Sequence, residues 1–369
     1  MFKSRFWKNF DWILFGLALL LTAIGLLVIY STSFKAANLA APVRAENQVY
    51  FAIIALIGFF AAARMDYRGW SKLTPILYVL MLISLLAVLF TGKTALGATR
   101  WIDLGFFQFQ PSEFAKIVII LVLAKYFSTN YDFMENPRHL LISLLYVIVP
   151  MALVLRQPDL GTALVLAVIW GVMAIVAKVR LSYLAAMVGT IVVSIPLILP
   201  HLHQYQRDRL LTFIDPGRDP LHTGYNVVQS TIAVGSGQLY GRGLAAGTQS
   251  QLNFLPSQST DFIFAVLSEK MGFIGDMLVI GLFVALLLRA LVIAARAEDR
   301  FGMFIAVGIA TMLLFHVFIN IGMNVGIMPV TGIPLPFLSY GGTSLLVSLV
   351  SVGLLESIAI RRKKIQFGA

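Results

Sequence analysis

The chain has 369 residues, 59% of them hydrophobic and 12% charged, with a formal net charge of +11 and a mean hydropathy of +0.87. A soluble protein of this size carries about 25% charged residues, so the composition excludes a soluble enzyme and describes a polytopic membrane protein. Cysteine is absent, which excludes disulfides, thiol catalysis and Cys-ligated metal.

The chain opens on basic residues (Lys3, Arg5, Lys8). The apolar run behind them is too long for a signal-peptide core and reads as an uncleaved first span. Apolar runs of roughly 15–25 residues mark spanning helices. They fall near 12–31, 47–64, 74–90, 112–128, 139–155, 161–178, 182–200, 262–294, 303–327 and 341–360, which makes ten. The eighth run exceeds one bilayer thickness and carries Glu269, Lys270 and Gly272 near its start, so a tilted or broken helix is expected there. With the N-terminus inside, most Lys and Arg lie on cytoplasmic flanks, among them Arg64, Arg68, Lys72, Arg289, Arg296, Arg300 and the run 361–364. That bias puts both termini in the cytoplasm and explains much of the basic excess. The expected fold is an all-α polytopic membrane protein, a single domain over 1–369 with about ten transmembrane helices. A large extracytoplasmic loop, 201–261, joins spans seven and eight.

Three segments on the outer side are more than minimal turns: 91–111, 201–261 and the uncharged 326–342. Irregular backbone near a membrane is tolerated where it is buried in protein or lines a water-filled cavity, so an outward-facing pocket is expected. Asp261, where the long loop enters span eight, is the sharpest candidate. A carboxylate at a helix centre in lipid costs roughly 2.5–3.5 kcal/mol on insertion scales and so either pairs or performs chemistry; an N-cap of span eight is its simpler reading. Glu113 and Lys116, three residues apart at the start of span four, share one helical face. They read either as a pair that neutralises itself in lipid or as a wall of the pocket. Pro111 suits the first turn there, with Ser112 or Gln110 as a capping residue. Asp159 reads as an N-cap of span six or as a second carboxylate on the pocket. Arg207 and Arg209 fit either lipid phosphate or a substrate pyrophosphate, which guanidinium geometry suits. Glycines 235–247 lack any nucleotide-loop context and read as tight turns. Trp101 reads as an interface anchor. His201, His203, His222 and His316 carry no motif.

Five blocks resemble the SEDS family (shape, elongation, division and sporulation), in its rod-shape branch. They are Arg100–Gly105 with Phe109–Lys116, Gln157–Thr162, Asp215–Gly235, Leu255–Ala265 and Gly332–Gly342. Residues 247–252 resemble the elongation branch more than the division branch. The resemblance implies a ten-helix membrane glycosyltransferase that polymerises lipid II into peptidoglycan strands, beside a class B penicillin-binding protein that cross-links them. It implies Asp261 as the catalytic position, Glu113 and Lys116 as an intramembrane pair, and Asp159, Arg207 and Arg209 as further cavity positions. Arg100, Trp101 and Gln110 fall in the same blocks. The chain departs from the family pattern at Gln258-Ser259, where Glu/Arg-His is usual, and at Lys270, where a second acid is common.

The expected mechanism makes Asp261 the general base toward the acceptor sugar hydroxyl, with undecaprenyl pyrophosphate leaving. Arg207, Arg209 and a divalent cation (Mg²⁺ or Mn²⁺) would balance its charge; no metal ligands can be assigned. A division-type polymerase, a lipid II flippase and a structural anchor for the partner synthase are the alternatives.

Overall fold

A computed structural model describes residues 7–32, 40–91, 93–95, 98–103, 105, 108–198, 213, 223–252, 254–255 and 257–362. Helices dominate: α1 (Trp12–Ser31), α2 (Ala40–Arg64), α3 (Tyr67–Thr91), α4 (Pro111–Thr129), α5 (Pro137–Arg156), α6 (Leu160–Val176) and α7 (Leu181–Ile198) precede the long loop. The short helices α8 (Thr223–Ser236) and α9 (Thr248–Gln251) lie within it, and α10 (Ile263–Ala295), α11 (Arg300–Asn324) and α12 (Gly342–Ile360) follow. Each predicted apolar run overlaps a helix. Among the described residues, seven helices are long and apolar enough to cross a membrane by length and composition.

Two segments expected as irregular loops carry regular structure. The 91–111 segment contains a small antiparallel sheet of β1 (Lys93–Ala95), β2 (Ala98–Asp103) and β3 (Gln108–Phe109). Its register pairs Thr94 with Thr99 and Ile102 with Phe109. The loop between α7 and α10 is also partly helical, and α8 packs on α10 and α11.

Helix α4 is buried almost all round, from Pro111 to Ala124 except Phe114. It packs against α3, α5, α6, α11 and α12. A helix apolar on every side belongs at the centre of a bundle, and protein neighbours let α4 carry Glu113 and Lys116. Helices α2 and α12 pack so closely that a Cβ on Gly353 would lie 2.5 Å from the Phe59 carbonyl oxygen.

Helix α10 is broken, as its length predicted. Its 33 residues would span about 50 Å at 1.5 Å per residue, and Gly272 interrupts it at φ 66°. The loop 238–243 fills the break. The Arg242 and Gly243 amides donate to the Glu269 and Lys270 carbonyls at 2.9 and 3.0 Å, and Phe273 and Ile274 donate to Gln238 and Leu239 at 2.8 and 3.2 Å. Every group freed by the kink named here is thus paired, as lipid-depth backbone requires. Gly241 sits at φ 79°, where a Cβ would collide with the Lys270 carbonyl.

Candidate functional site

The starts of α6 and α10 meet the loop 331–340, α4 is linked to it through His316 of α11, and each of the three helix starts brings a carboxylate. At α6, Asp159 is the N-cap: Oδ1 accepts from the Thr162 amide at 3.2 Å, and Oδ2 from the Thr162 hydroxyl at 2.9 Å. Ser112 Oγ at the start of α4 reaches the same Oδ2 at 3.3 Å. The capping reading of Asp159 therefore holds, and the same carboxylate ties the start of α4 to that of α6. Arg100 bridges from β2, donating through Nε to the Gln157 carbonyl at 3.2 Å and through Nη2 to the Pro158 carbonyl. Its Nη1 lies 3.9 Å from Asp159. Strand alternation turns Trp101 to the opposite face of β2 from Arg100, so those two neighbours do not act together. Gln110 occupies the N-cap position of α4 without a side-chain capping bond, contrary to that expectation; its Nε2 donates instead to Ser112 Oγ at 3.1 Å. Pro111 stands in the first turn as predicted.

Glu113 and Lys116 form a fully buried ion pair, Nζ to Oε1 at 2.6 Å with side-chain exposures of 3% and 1%. A third member, His316, was passed over in the sequence. Lys116 Nζ also lies 3.1 Å from His316 Nε2, and His316 Nδ1 lies 3.1 Å from the Pro334 carbonyl oxygen.

Asp261 is half-buried at the end of the turn 257–262. It is not the N-cap of α10: Phe262 holds that position, with no side-chain capping bond. Asn324 performs the capping from α11, its Oδ1 accepting from the Ala265 amide at 3.0 Å. Three successive carbonyls before α10 are clamped. Ser259 accepts from the Tyr340 amide at 2.7 Å and Thr260 from Ser339 Oγ at 2.7 Å. The Asp261 carbonyl accepts from Asn320 and Asn324 Nδ2, each at 3.1 Å. Asn320 also donates to Ile333 at 2.8 Å.

Loop 331–340 is the common backing. Asn320 and His316 hold its Ile333 and Pro334 carbonyls, its Ser339 and Tyr340 hold the Asp261 turn, and Gly161 of α6 packs on Thr331 and Ile333. The structure thus gathers Arg100, Gln110, Glu113, Lys116, Asp159 and Asp261 at one end of the bundle. Arg207 and Arg209 lie outside the described residues. Glu269 and Lys270 are turned to the 246–250 loop: Glu269 accepts from the Gln249 and Ser250 amides at 2.8 and 3.0 Å, and Lys270 donates to Ala246 at 2.9 Å. Sequence reasoning missed His316, Asn320, Asn324 and Ser339. The spacing of the first three in an apolar span, i, i+4 and i+8, was the available signal, since it lays them along one helical face. Among the described residues no group of three or more His, Cys, Asp or Glu is arranged to hold a metal ion. The donor set present does not by itself make a cation site.

Fold and site define a polytopic membrane protein whose carboxylates, amides and one buried ion pair converge at one end of its helix bundle. The profile of the FtsW/RodA/SpoVE family, described as cell cycle protein, matches residues 11–364, and the chain belongs to that family. The peptidoglycan glycosyltransferase MrdB of Escherichia coli K12 is 38% identical over 364 residues, covering 98% of this chain and 97% of the relative. Stage V sporulation protein E of Bacillus subtilis is 39% identical over 364 residues, covering 95% and 96%. Among solved structures, a chain of a peptidoglycan synthase complex that coordinates polymerization and crosslinking superposes with TM-score 0.75 at 30% identity, covering 95% of this chain and 97% of that one. The rod shape determining protein RodA of Thermus thermophilus superposes with TM-score 0.72 at 28% identity, covering 96% and 98%.

Proposed function

We propose that this chain is a peptidoglycan glycosyltransferase of the elongation branch, polymerising lipid II with Asp261 as general base. The observation that carries the site assignment is the clamp on the Ser259, Thr260 and Asp261 carbonyls. It fixes the backbone under one half-buried carboxylate where three helix starts meet. The name of the E. coli relative and the full-length match support the activity.

In this reading Asp261 removes the proton from the sugar 4-hydroxyl of the acceptor. The new glycosidic C–O bond forms at the anomeric carbon as the bond to undecaprenyl pyrophosphate breaks, with inversion. A positioned base contributes about 10²–10⁴-fold. Fixing it in advance saves reorganisation in the transition state. Arg100 holds the 157–159 turn, and Arg207 and Arg209 are proposed to receive the pyrophosphate. A divalent cation remains a proposal as well. It would be held chiefly by substrate phosphate oxygens, as Mg²⁺ commonly is, and no step above depends on it.

The remaining parts of the reading follow. The chain crosses the bacterial inner membrane ten times with both termini in the cytoplasm, and the Asp261 end faces outward, where lipid-linked precursor is consumed. Its partner is a class B penicillin-binding protein, in keeping with the synthase complex that the fold resembles. A flippase reading draws on the broken helix α10, since discontinuous helices mark transport sites. That break is filled by the chain's own 238–243 backbone, which already satisfies the carbonyls and amides that a transported ion or substrate would use.

Purified protein in detergent with labelled lipid II tests the reading. Glycan polymer is expected. Vesicles that translocate lipid II while no polymer forms would favour the flippase. Chelator is expected to leave thermal melting unchanged, any metal dependence appearing only with substrate present.

A further inference from the structure

The buried charges at the start of α4 do more than cancel each other. A Lys ammonium can only donate, so His316 Nε2, 3.1 Å from Lys116 Nζ, must present its lone pair. A carbonyl oxygen can only accept, so His316 Nδ1, 3.1 Å from the Pro334 oxygen, must carry the proton. Together these two partners fix a neutral imidazole in its Nδ1–H tautomer. Both ring positions are committed, and His316 is buried at 4% exposure. Glu113 holds the ammonium at 2.6 Å on its other side.

The next two polar residues on the same face of α11 are Asn320 and Asn324, which hold the Ile333 and Asp261 carbonyls. Ile333 and Pro334 are adjacent, so His316 and Asn320 grip consecutive carbonyls of one loop. That loop's Ser339 and Tyr340 then grip Thr260 and Ser259. The chain of contacts runs from Glu113 through Lys116 and His316 into loop 331–340, and from there to the Asp261 turn.

We infer that His316 is a positioning residue: the Glu113–Lys116 pair sets its tautomer, and His316 in turn seats loop 331–340 so that Asp261 is presented correctly. The inference rests on the reading of Asp261 as the base and gives the ion pair a task in the same site. A buried pair is weak evidence of stability alone, because desolvation often exceeds the Coulombic gain. A pair that specifies one tautomer has a structural consequence that an apolar replacement could not supply.

Glutamine can reproduce both contacts, accepting from Lys116 through its amide oxygen and donating to Pro334 through its NH₂. Leucine can reproduce neither. Purified His316→Gln is therefore expected to polymerise lipid II at close to the wild-type kcat. His316→Leu is expected to lose roughly tenfold or more in kcat, with KM nearly unchanged. Nitrogen NMR of ¹⁵N-histidine-labelled wild-type protein, with the His316 signal assigned by its absence in H316Q, reads the tautomer without depending on how H316L folds. A protonated Nδ1 with a bare Nε2 is expected. A proton on Nε2, a wild-type kcat in H316L, or an H316Q protein as slow as H316L would overturn the inference. Asp261→Asn measured alongside separates the two layers. An active D261N overturns the base assignment, whereas an inactive D261N beside a fully active H316L overturns the role of His316 alone.

Discussion

Replacing Asn324 by Leu removes polar contacts while nearly keeping side-chain volume, and its consequences can be worked from the geometry. Asn324 is fully buried at the last turn of α11. Its Oδ1 takes the Ala265 amide at 3.0 Å and Ser230 Oγ at 3.3 Å; its Nδ2 serves the Asp261 and Asn320 carbonyls at 3.1 and 2.8 Å. In the Leu variant the Ala265 N–H loses this acceptor, which costs about 1–3 kcal/mol for an unsatisfied buried donor. The Asp261 carbonyl keeps Asn320, so the loss there is nearer a single hydrogen bond, about 0.5–1.5 kcal/mol. Ser230 Oγ retains the Asn324 backbone carbonyl at 2.9 Å and adds little. The total is about 1.5–4.5 kcal/mol, and the released turn can drift by an amount that costs up to about 10²-fold in rate. Thermal melting in detergent and steady-state polymerisation of lipid II should show lower stability and a lower kcat, with KM largely kept. Asn324→Asp keeps the acceptor for Ala265 but turns a carboxylate oxygen toward two carbonyls, and should be at least as harmful. Wild-type melting and kcat in N324L would refute the clamp.

Two further outcomes follow from other parts of the fold. Gly241→Ala forces a Cβ into the Lys270 carbonyl at φ 79°, so the backbone clash adds to a left-handed strain of about 1–2 kcal/mol and the variant should lose clearly more stability than that. Gly243→Ala, at φ 88° with open space around it, should stay near 1–2 kcal/mol; equal melting of the two variants would contradict the packed break. At the opposite end, Asp299 caps α11 by accepting from the Gly302 amide at 2.7 Å, and also accepts from Arg68 and Tyr67. Burial raises its carboxyl pKa, but the Gly302, Arg68 and Tyr67 contacts outweigh that and hold it below the ordinary aspartate value. A depressed folded value means the contribution is complete above roughly pH 4 and is lost as pH falls through the lower value. The melting difference between wild type and Asp299→Asn should therefore shrink only in acid. A difference that grows toward acid would contradict it.

The helices were legible because a run of apolar residues is itself the physical requirement for crossing lipid. The break in α10 was legible too, since 33 residues overrun a bilayer and Gly272, two residues from the charged pair, is the nearest backbone free of a Cβ. What fills the break was not, because Arg242 and Gly243 reach Glu269 and Lys270, and Gln238 and Leu239 reach Phe273 and Ile274, through pairings distant in sequence. The same limit explains the site. Asp159 and Glu113 announced themselves as charges beside helix starts, and local spacing placed them well. Capping of its own helix was the alternative reading of Asp261, and it fails because Asn324, 59 residues from Ala265, takes that task. His316 was passed over because its spacing with Asn320 and Asn324 marks a polar helix face without naming a partner; its meaning comes from Lys116, 200 residues away. The sheet between α3 and α4 was hidden by strands of two to six residues, too short for a visible alternation.

Asp261→Asn is nearly isosteric and leaves the clamped carbonyls in place, so it isolates the chemistry of one carboxylate. Polymer formed from purified lipid II should fall by about 10²–10⁴-fold while the melting curve stays that of the wild type. Undiminished polymerisation by a folded D261N protein would contradict the account at its centre.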